Sequence, residues 1–200
     1  LADAFATRYR TGKTTGLDFP GESPGQVLPL DKWSGSTIGN VPIGQGIAVT
    51  PIQMAAAYGA IANDGVYRTP YLVKRVGNEP HRRSAARRVL SKTVSAQMMA
   101  MLRDVVSAEG GTGAAAAVPG YTVAGKTGTA AKPVPGGYST SRYVASFVGV
   151  VPAKDPRLVV LVSIDEPPGS GEHYGAQVAA PLFMDVAREA LARLQVPPTS

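Results

Sequence analysis

The 200-residue sequence contains no cysteine, which excludes disulfides, thiolate metal sites and a cysteine nucleophile. Histidine is almost as scarce. His81 and His173 lie far apart, and neither stands in a metal-ligand pattern such as H-E-x-x-H. No metal and no cofactor are therefore expected. No run of about eighteen apolar residues occurs, so no membrane-spanning helix is expected within the chain. Gly44-Gln45-Gly46 lacks a third glycine and a suitably placed acidic residue, which argues against a dinucleotide site. The densest basic patch, His81-Arg82-Arg83 with Arg87-Arg88, has no interleaved aromatics. It reads as a solvated loop, and no nucleic-acid partner is expected. No internal repeat is visible.

What is present suits a globular chain. The apolar fraction of 44% is enough for a core, and the length suits one domain or a large part of one. Lys and Arg number 20 against 14 Asp and Glu, a net charge of +6. Such a balance favours an anionic surface, a cell wall or a membrane face. The first residue is Leu1 rather than Met, so the chain is expected to be trimmed or excerpted.

Leu1 to Arg10 reads as the tail of a helix stopped by Gly12. Thr15 to Lys32 is rich in Gly and Pro and reads as a surface loop, with Trp33 as its packing anchor. Gly44 to Gly46 reads as core. Thr50 and Pro51 are a good N-cap and first residue for a helix over 52–63, small and apolar nearly all round and so expected to be buried. Asn63-Asp64-Gly65 ends it. Short strands are expected at 66–68 and 71–73. Ser91 opens a second helix with an inner stripe of Val94, Met98, Met101, Leu102 and Val105. Gly110 to Gly113 and the alanines after it read as a mobile loop or frayed turn.

Three strands follow at 121–130, 142–151 and 158–164. The last two are apolar on both faces, as expected of central strands, and are joined by a short antiparallel connection. Residues 138–143 beside Gly136-Gly137 suit either a loop near a site or a solvated hairpin tip. A final helix over 177–194 is expected to bury Ala179, Leu182, Phe183, Val186, Ala190 and Leu194, with a Glu189–Arg193 pair facing water. Residues 197–200 form a tail. The fold class is α+β, an antiparallel sheet covered by helices, and the sheet is expected to need further strands.

One stretch carries chemistry: Val123-Ala124-Gly125-Lys126-Thr127-Gly128-Thr129-Ala130. On a strand, Lys126 and Gly128 share one face, with Thr127 and Thr129 on the other. Lys126 supplies positive charge, the threonines supply hydroxyl donors, and Gly128 lets another backbone approach. Such an edge suits a carboxylate, and a peptide laid along it gains main-chain hydrogen bonds. Glu166 and His173 sit in a Pro/Gly-rich loop and are assigned no catalytic part.

That stretch does not stand alone. With Gly21-Glu22-Ser23, Gly44-Gln45-Gly46, Thr50-Pro51-Ile52-Gln53-Met54-Ala55 and Ala62-Asn63-Asp64-Gly65, the chain resembles the transpeptidase domain of class B penicillin-binding proteins. Ala145-Ser146-Phe147-Val148-Gly149, Ile164-Asp165-Glu166-Pro167, Tyr174-Gly175 and Ala179-Ala180-Pro181-Leu182-Phe183 extend the resemblance over nearly the whole chain. Among class B proteins it is most similar to the division-specific, FtsI-like members. Of the three family motifs, only Lys-Thr-Gly is present. No Ser-x-x-Lys or Ser-x-Asn occurs, and Thr129-Ala130-Ala131-Lys132 has the spacing of the first without its serine. Residues 1–196 are therefore expected to be the C-terminal portion of the domain, with the nucleophile upstream.

The resemblance implies a penicillin-binding-protein/serine β-lactamase-like fold and serine D,D-transpeptidase activity. A serine outside this chain would attack a D-Ala-D-Ala stem peptide, and the acyl group would pass to a neighbouring amine. It implies that Lys126 supplies charge and assists proton traffic, that Thr127 and Thr129 bind the substrate carboxylate, that Gly128 keeps the edge open, and that the Thr129 N–H serves the oxyanion hole. Implied partners are peptidoglycan stem peptides, β-lactams, the N-terminal remainder of the protein, and cell-wall and division proteins. The implied location is the extracytoplasmic face of a bacterial membrane. A β-lactamase or D,D-carboxypeptidase of the same fold, and a non-catalytic penicillin-sensing or docking fragment, are the alternatives.

Overall fold

The computed structural model describes residues 6–81, 84–168 and 173–199. They fall into two compact units, Leu1–Lys92 and Thr93–Ser200. Residues 6–8 are helical, so only the end of the expected N-terminal helix lies among the described residues.

The first unit is built from short elements. Strand β1 (Gln26–Val27) pairs antiparallel with β2 (Ile47–Ala48), a four-residue helix α1 (Thr37–Asn40) lies between them, and helix α2 spans Pro51–Ala62. Thr50 caps α2 as the sequence suggests. Its hydroxyl accepts from the Gln53 N–H, the Gln53 side chain accepts from the Thr50 N–H, and Pro51 fills the first turn, where its missing N–H is harmless. The helix is not wholly buried, however. Only Gln53, Ala60 and Ile61 are buried, because its small side chains meet few neighbours within this unit. Gly44 and Gly46 are exposed rather than core.

Two polar side chains organise what reads as a plain surface loop. Gln53 Nε2 reaches the carbonyls of Arg10, Lys13 and Pro24 at 3.2, 2.9 and 2.8 Å. Glu22 accepts from the Thr15 N–H and hydroxyl at 2.7 and 2.6 Å and from the Gly16 N–H at 3.3 Å. Desolvation would raise the Glu22 carboxyl, but the bonds from Thr15, Gly16 and Leu17 outweigh it and hold it below its ordinary value of 4.5. A lowered carboxylate pKa gives stability that is full above the unfolded value and is lost as pH falls through the folded one. Glu22→Gln is therefore expected to destabilise the complete protein by about 1 kcal/mol at neutral pH. The difference from wild type should close as pH drops below 4.5. Urea titrations at several pH values read this out, and a pH-independent difference would contradict it. Trp33 anchors the same region, its indole N–H donating to the Leu28 carbonyl at 2.9 Å.

Strand β3 (Val66–Tyr67) pairs with β6 (Arg87–Arg88), and β4 (Arg75–Val76) with β5 (Glu79–Pro80). No strand forms at 71–73. The described part of the basic patch is not a solvated loop. Arg87 lies 5.1 Å over the Tyr67 ring and donates to the carbonyls of Thr7 and Arg8, and Arg88 donates to those of Asp64 and Leu90. Guanidinium forks matched to backbone carbonyls make these arginines structural. Arg82 and Arg83 lie outside the described residues.

The second unit opens with helix α3 (Lys92–Ser107), starting right after Ser91. Its inner stripe is Ser95, Leu102 and Val106, while Val94 and Met101 are exposed, so the inward face is rotated from the expected one. The glycine-rich segment after it forms hydrogen-bonded turns. The Gly111 and Gly113 N–H groups donate to the carbonyls of Ala108 and Val105, and Ala116 is fully buried. A three-stranded antiparallel sheet follows in the order β7 (Ala124–Val134), β8 (Gly137–Val151), β9 (Leu158–Asp165). Strand β7 starts later than expected because Tyr121 belongs to a turn, its hydroxyl donating to the Val196 carbonyl at 2.6 Å. Residues 138–143 belong to the extended hairpin of β7 and β8. Among the described residues β8 is central and β9 pairs with β8 alone.

Short helix α4 (Gly175–Val178) leads into α5 (Ala180–Arg193). Helix α5 buries Ala180, Phe183, Ala187 and Leu191, with Phe183 tilted against Phe147 at 4.8 Å. Leu182, Val186 and Leu194, expected inside, are 47%, 50% and 56% exposed. The expected Glu189–Arg193 pair is present at 2.8 Å. In the tail, the Thr199 N–H donates to the Gly120 carbonyl.

Candidate active site

Strand β7 carries all four predicted site residues on a strand whose only partner among the described residues is β8. Its other edge has no strand partner among the described residues. Register fixes the faces, since directly paired residues share one. Lys126 opposite Val148 and Gly128 opposite Ser146 lie on one face; Thr127 opposite Phe147 and Thr129 opposite Ala145 lie on the other. The alternation read from the sequence holds.

The two faces meet at the edge. Lys126 is exposed, and its ammonium curls back to donate to the Thr127 carbonyl and hydroxyl oxygens, both at 3.2 Å. Among the described residues it makes no ion pair, so its positive potential is left for an incoming anion. Thr129 Oγ1 accepts from the Gly175 N–H at 3.0 Å. Because that lone pair is taken, the Thr129 hydroxyl proton remains available to a ligand. The contact needs a glycine on the helix side. A Cβ at Gly175 would strike the carbonyl oxygens of Ser146 and Gly128. Gly128 is closed to a side chain too, because its Cβ would meet Ser146 Oγ.

Three contributors were not legible in the sequence as site residues: Gly175, Ser146 and Thr112. Thr112 Oγ1 lies 3.2 Å from Thr127 Oγ1. Its position between glycines was the one available signal, and it was read as mobility. Of the residues set aside, His173 stacks on the Tyr143 ring at 4.1 Å, and Glu166 pairs with Lys132 at 2.6 Å. Among the described residues, no cluster of three or more carboxylate or imidazole groups is placed to hold a metal.

Comparison with known proteins places the chain in a family. The family model described as the penicillin binding protein transpeptidase domain matches residues 2–188. The chain belongs to that family. Penicillin-binding protein PbpB of Mycobacterium tuberculosis is 41% identical over 202 residues, covering 95% of this chain and 30% of its own length. Stage V sporulation protein D of Bacillus subtilis is 39% identical, covering 94% of this chain and 30% of its own. The transpeptidase domain of penicillin-binding protein 3 from Burkholderia pseudomallei superposes with a TM-score of 0.85 at 39% identity, over 98% of this chain and 58% of that one. Penicillin-binding protein 3 of Mycobacterium tuberculosis, solved in complex with ampicillin, gives 0.85 at 38%, over 98% and 46%. The penicillin-binding transpeptidase fold and its α+β class are thus shown. The transpeptidase-family chain spans just under a third of the length of these curated relatives.

Proposed function

We propose that this chain supplies the substrate-carboxylate edge of a peptidoglycan D,D-transpeptidase whose serine nucleophile lies in the remainder of the protein. The observation that carries the reading is the Lys126 ammonium, in no ion pair among the described residues, beside two threonine hydroxyls on a strand edge that no described strand covers. A D-Ala-D-Ala stem peptide laid along β7 would place its terminal carboxylate at Thr127 and Thr129, within the field of Lys126. The serine hydroxyl would add to the penultimate D-Ala carbonyl, with the Thr129 N–H among the donors to the developing oxyanion. The C–N bond breaks, the serine proton passes to the departing D-alanine amine, and an ester remains. Attack by an amine of a second stem peptide forms the new amide and restores the serine. Lys126 assists these proton movements by holding positive charge next to them. A β-lactam enters the same site because its ring amide and carboxylate copy the dipeptide, and it remains as an ester.

The reading places the complete protein at the outer face of a bacterial membrane, anchored by a segment outside this chain and working with cell-wall and division proteins. Intact-mass measurement after incubation with benzylpenicillin tests it. The complete protein is expected to gain one penicilloyl group on a serine outside residues 1–200, and the isolated chain none. An adduct within this chain, or none on the complete protein, would overturn the assignment.

A further inference from the structure

Strand β7 carries a second lysine that is the opposite of Lys126 in its surroundings. Lys132 Nζ lies 2.7 Å from Asp165 Oδ1 and 2.6 Å from Glu166 Oε1, at the end of β9. It reaches them by crossing β8. The pairing jumps from Ala131 opposite Tyr143 to Pro133 opposite Tyr138, so residues 139–142 of β8 bulge opposite Lys132. The bulge frees Lys132 from a cross-strand pair.

Both ends of the connection from β9 to α4 then converge on one residue, Tyr143. At the near end, Glu166 adopts a left-handed conformation (φ 51°) and its N–H donates to the Tyr143 carbonyl at 2.9 Å. Left-handed backbone is unfavourable for a glutamate unless its surroundings hold it there. The Lys132 bond to its carboxylate is such a restraint. At the far end, the Tyr143 ring stacks on His173, and His173 packs against Tyr174. The next residue is Gly175, whose N–H bonds Thr129 Oγ1.

We propose that Lys132 is a positioning residue for the β7 edge: by pinning Asp165 and Glu166 it sets Tyr143 and His173, and so places the Gly175 N–H on the Thr129 hydroxyl. The inference rests on the carboxylate-edge reading above. Hydrogen bonds donated to Asp165 and Glu166 hold the Lys132 ammonium above the ordinary lysine value, so the clamp stays charged at neutral pH.

The sizes of the two effects separate positioning from stability. Exposed ion pairs contribute little to folding, so loss of the clamp should barely move Tm. A misplacement of about 1 Å at a reacting centre, by contrast, lowers rates by about 100-fold. For Lys132, which acts through Glu166, Tyr143, His173 and Gly175 in turn, a smaller, roughly tenfold loss is expected.

The test uses the complete protein and a fluorescent penicillin. Lys132→Met is expected to lower the second-order acylation constant about tenfold while Tm changes by less than about 2 °C. Lys132→Arg, which keeps the charge and both partners, should recover to within about threefold of wild type. Should Lys132→Met not fold, Glu166→Gln, which leaves the Asp165 pair, should give about a threefold loss. His173 provides a readout besides activity. Its ring protons, shifted upfield by the two tyrosine rings in wild type, should move toward free-imidazole positions in Lys132→Met. The proposal is overturned if Lys132→Met acylates at the wild-type rate, or if its deficit equals the fraction unfolded. A wild-type protein that is not acylated at all would remove the functional reading first, and this inference with it.

Discussion

Replacing Lys126 with alanine in the complete protein is expected to lower the rate of acylation by a penicillin about 1,000-fold and to leave its stability nearly unchanged. The rate estimate follows from what the ammonium faces. A preorganised donor at a developing charge is typically worth about 100- to 1,000-fold, and assistance to proton transfer a similar factor. Stability should hold because Lys126 is exposed and, among the described residues, bonds only to Thr127, its own neighbour on the strand. Exposed side chains without distant partners change stability by about 0.5 kcal/mol or less. Lys126→Arg should recover only part of the rate, since a planar guanidinium keeps the charge but cannot occupy the position of a compact ammonium. Single-turnover acylation beside thermal unfolding separates the two effects. An alanine variant within threefold of wild type would show that Lys126 is not at the reacting centre.

The second large effect is expected at the back of the same sheet. Phe183→Ala should destabilise the protein by about 3–5 kcal/mol. Phe183 is fully buried, its ring packs against Phe147 of β8, and Gly149 leaves the space it fills, since a Cβ there would lie 2.6 Å from the ring. Truncation removes the apolar contacts and leaves a cavity that the flanking strand cannot close. A domain has only about 5–15 kcal/mol in hand, so the shift in urea midpoint should be obvious. Phe183→Leu, which keeps most of the volume, should lose about 1.5 kcal/mol or less. A loss below about 1 kcal/mol for the alanine variant would mean that α5 does not support the strand pair carrying the site.

What was legible in the sequence was local. The Thr50 cap and the Pro51 that follows it are adjacent residues with fixed conformational preferences. The alternation of Lys126, Thr127, Gly128 and Thr129 follows from the pleat of any strand. What failed depended on distant partners. The inner face of the last helix was assigned to Leu182, Val186 and Leu194 beside Phe183, Ala179 and Ala190, yet the sheet accepts Ala180 and Ala187 there because small side chains allow close approach around Phe183. The bulkier Leu182 and Val186 were left outside. Gln53 and Glu22 organise the first unit through backbone groups that no local pattern marks as their partners. Lys132 was noted for its spacing after Thr129, but its meaning lies with Asp165 and Glu166 at the far side of the sheet.

The most direct test of the carboxylate edge is a crystal structure of the complete protein acylated by benzylpenicillin. The account predicts that the penicilloyl carboxylate accepts hydrogen bonds from the Thr127 and Thr129 hydroxyls with Lys126 beside it, and that the ester carbonyl oxygen lies within hydrogen-bond distance of the Thr129 N–H. A carboxylate held elsewhere, with β7 still open, would contradict it.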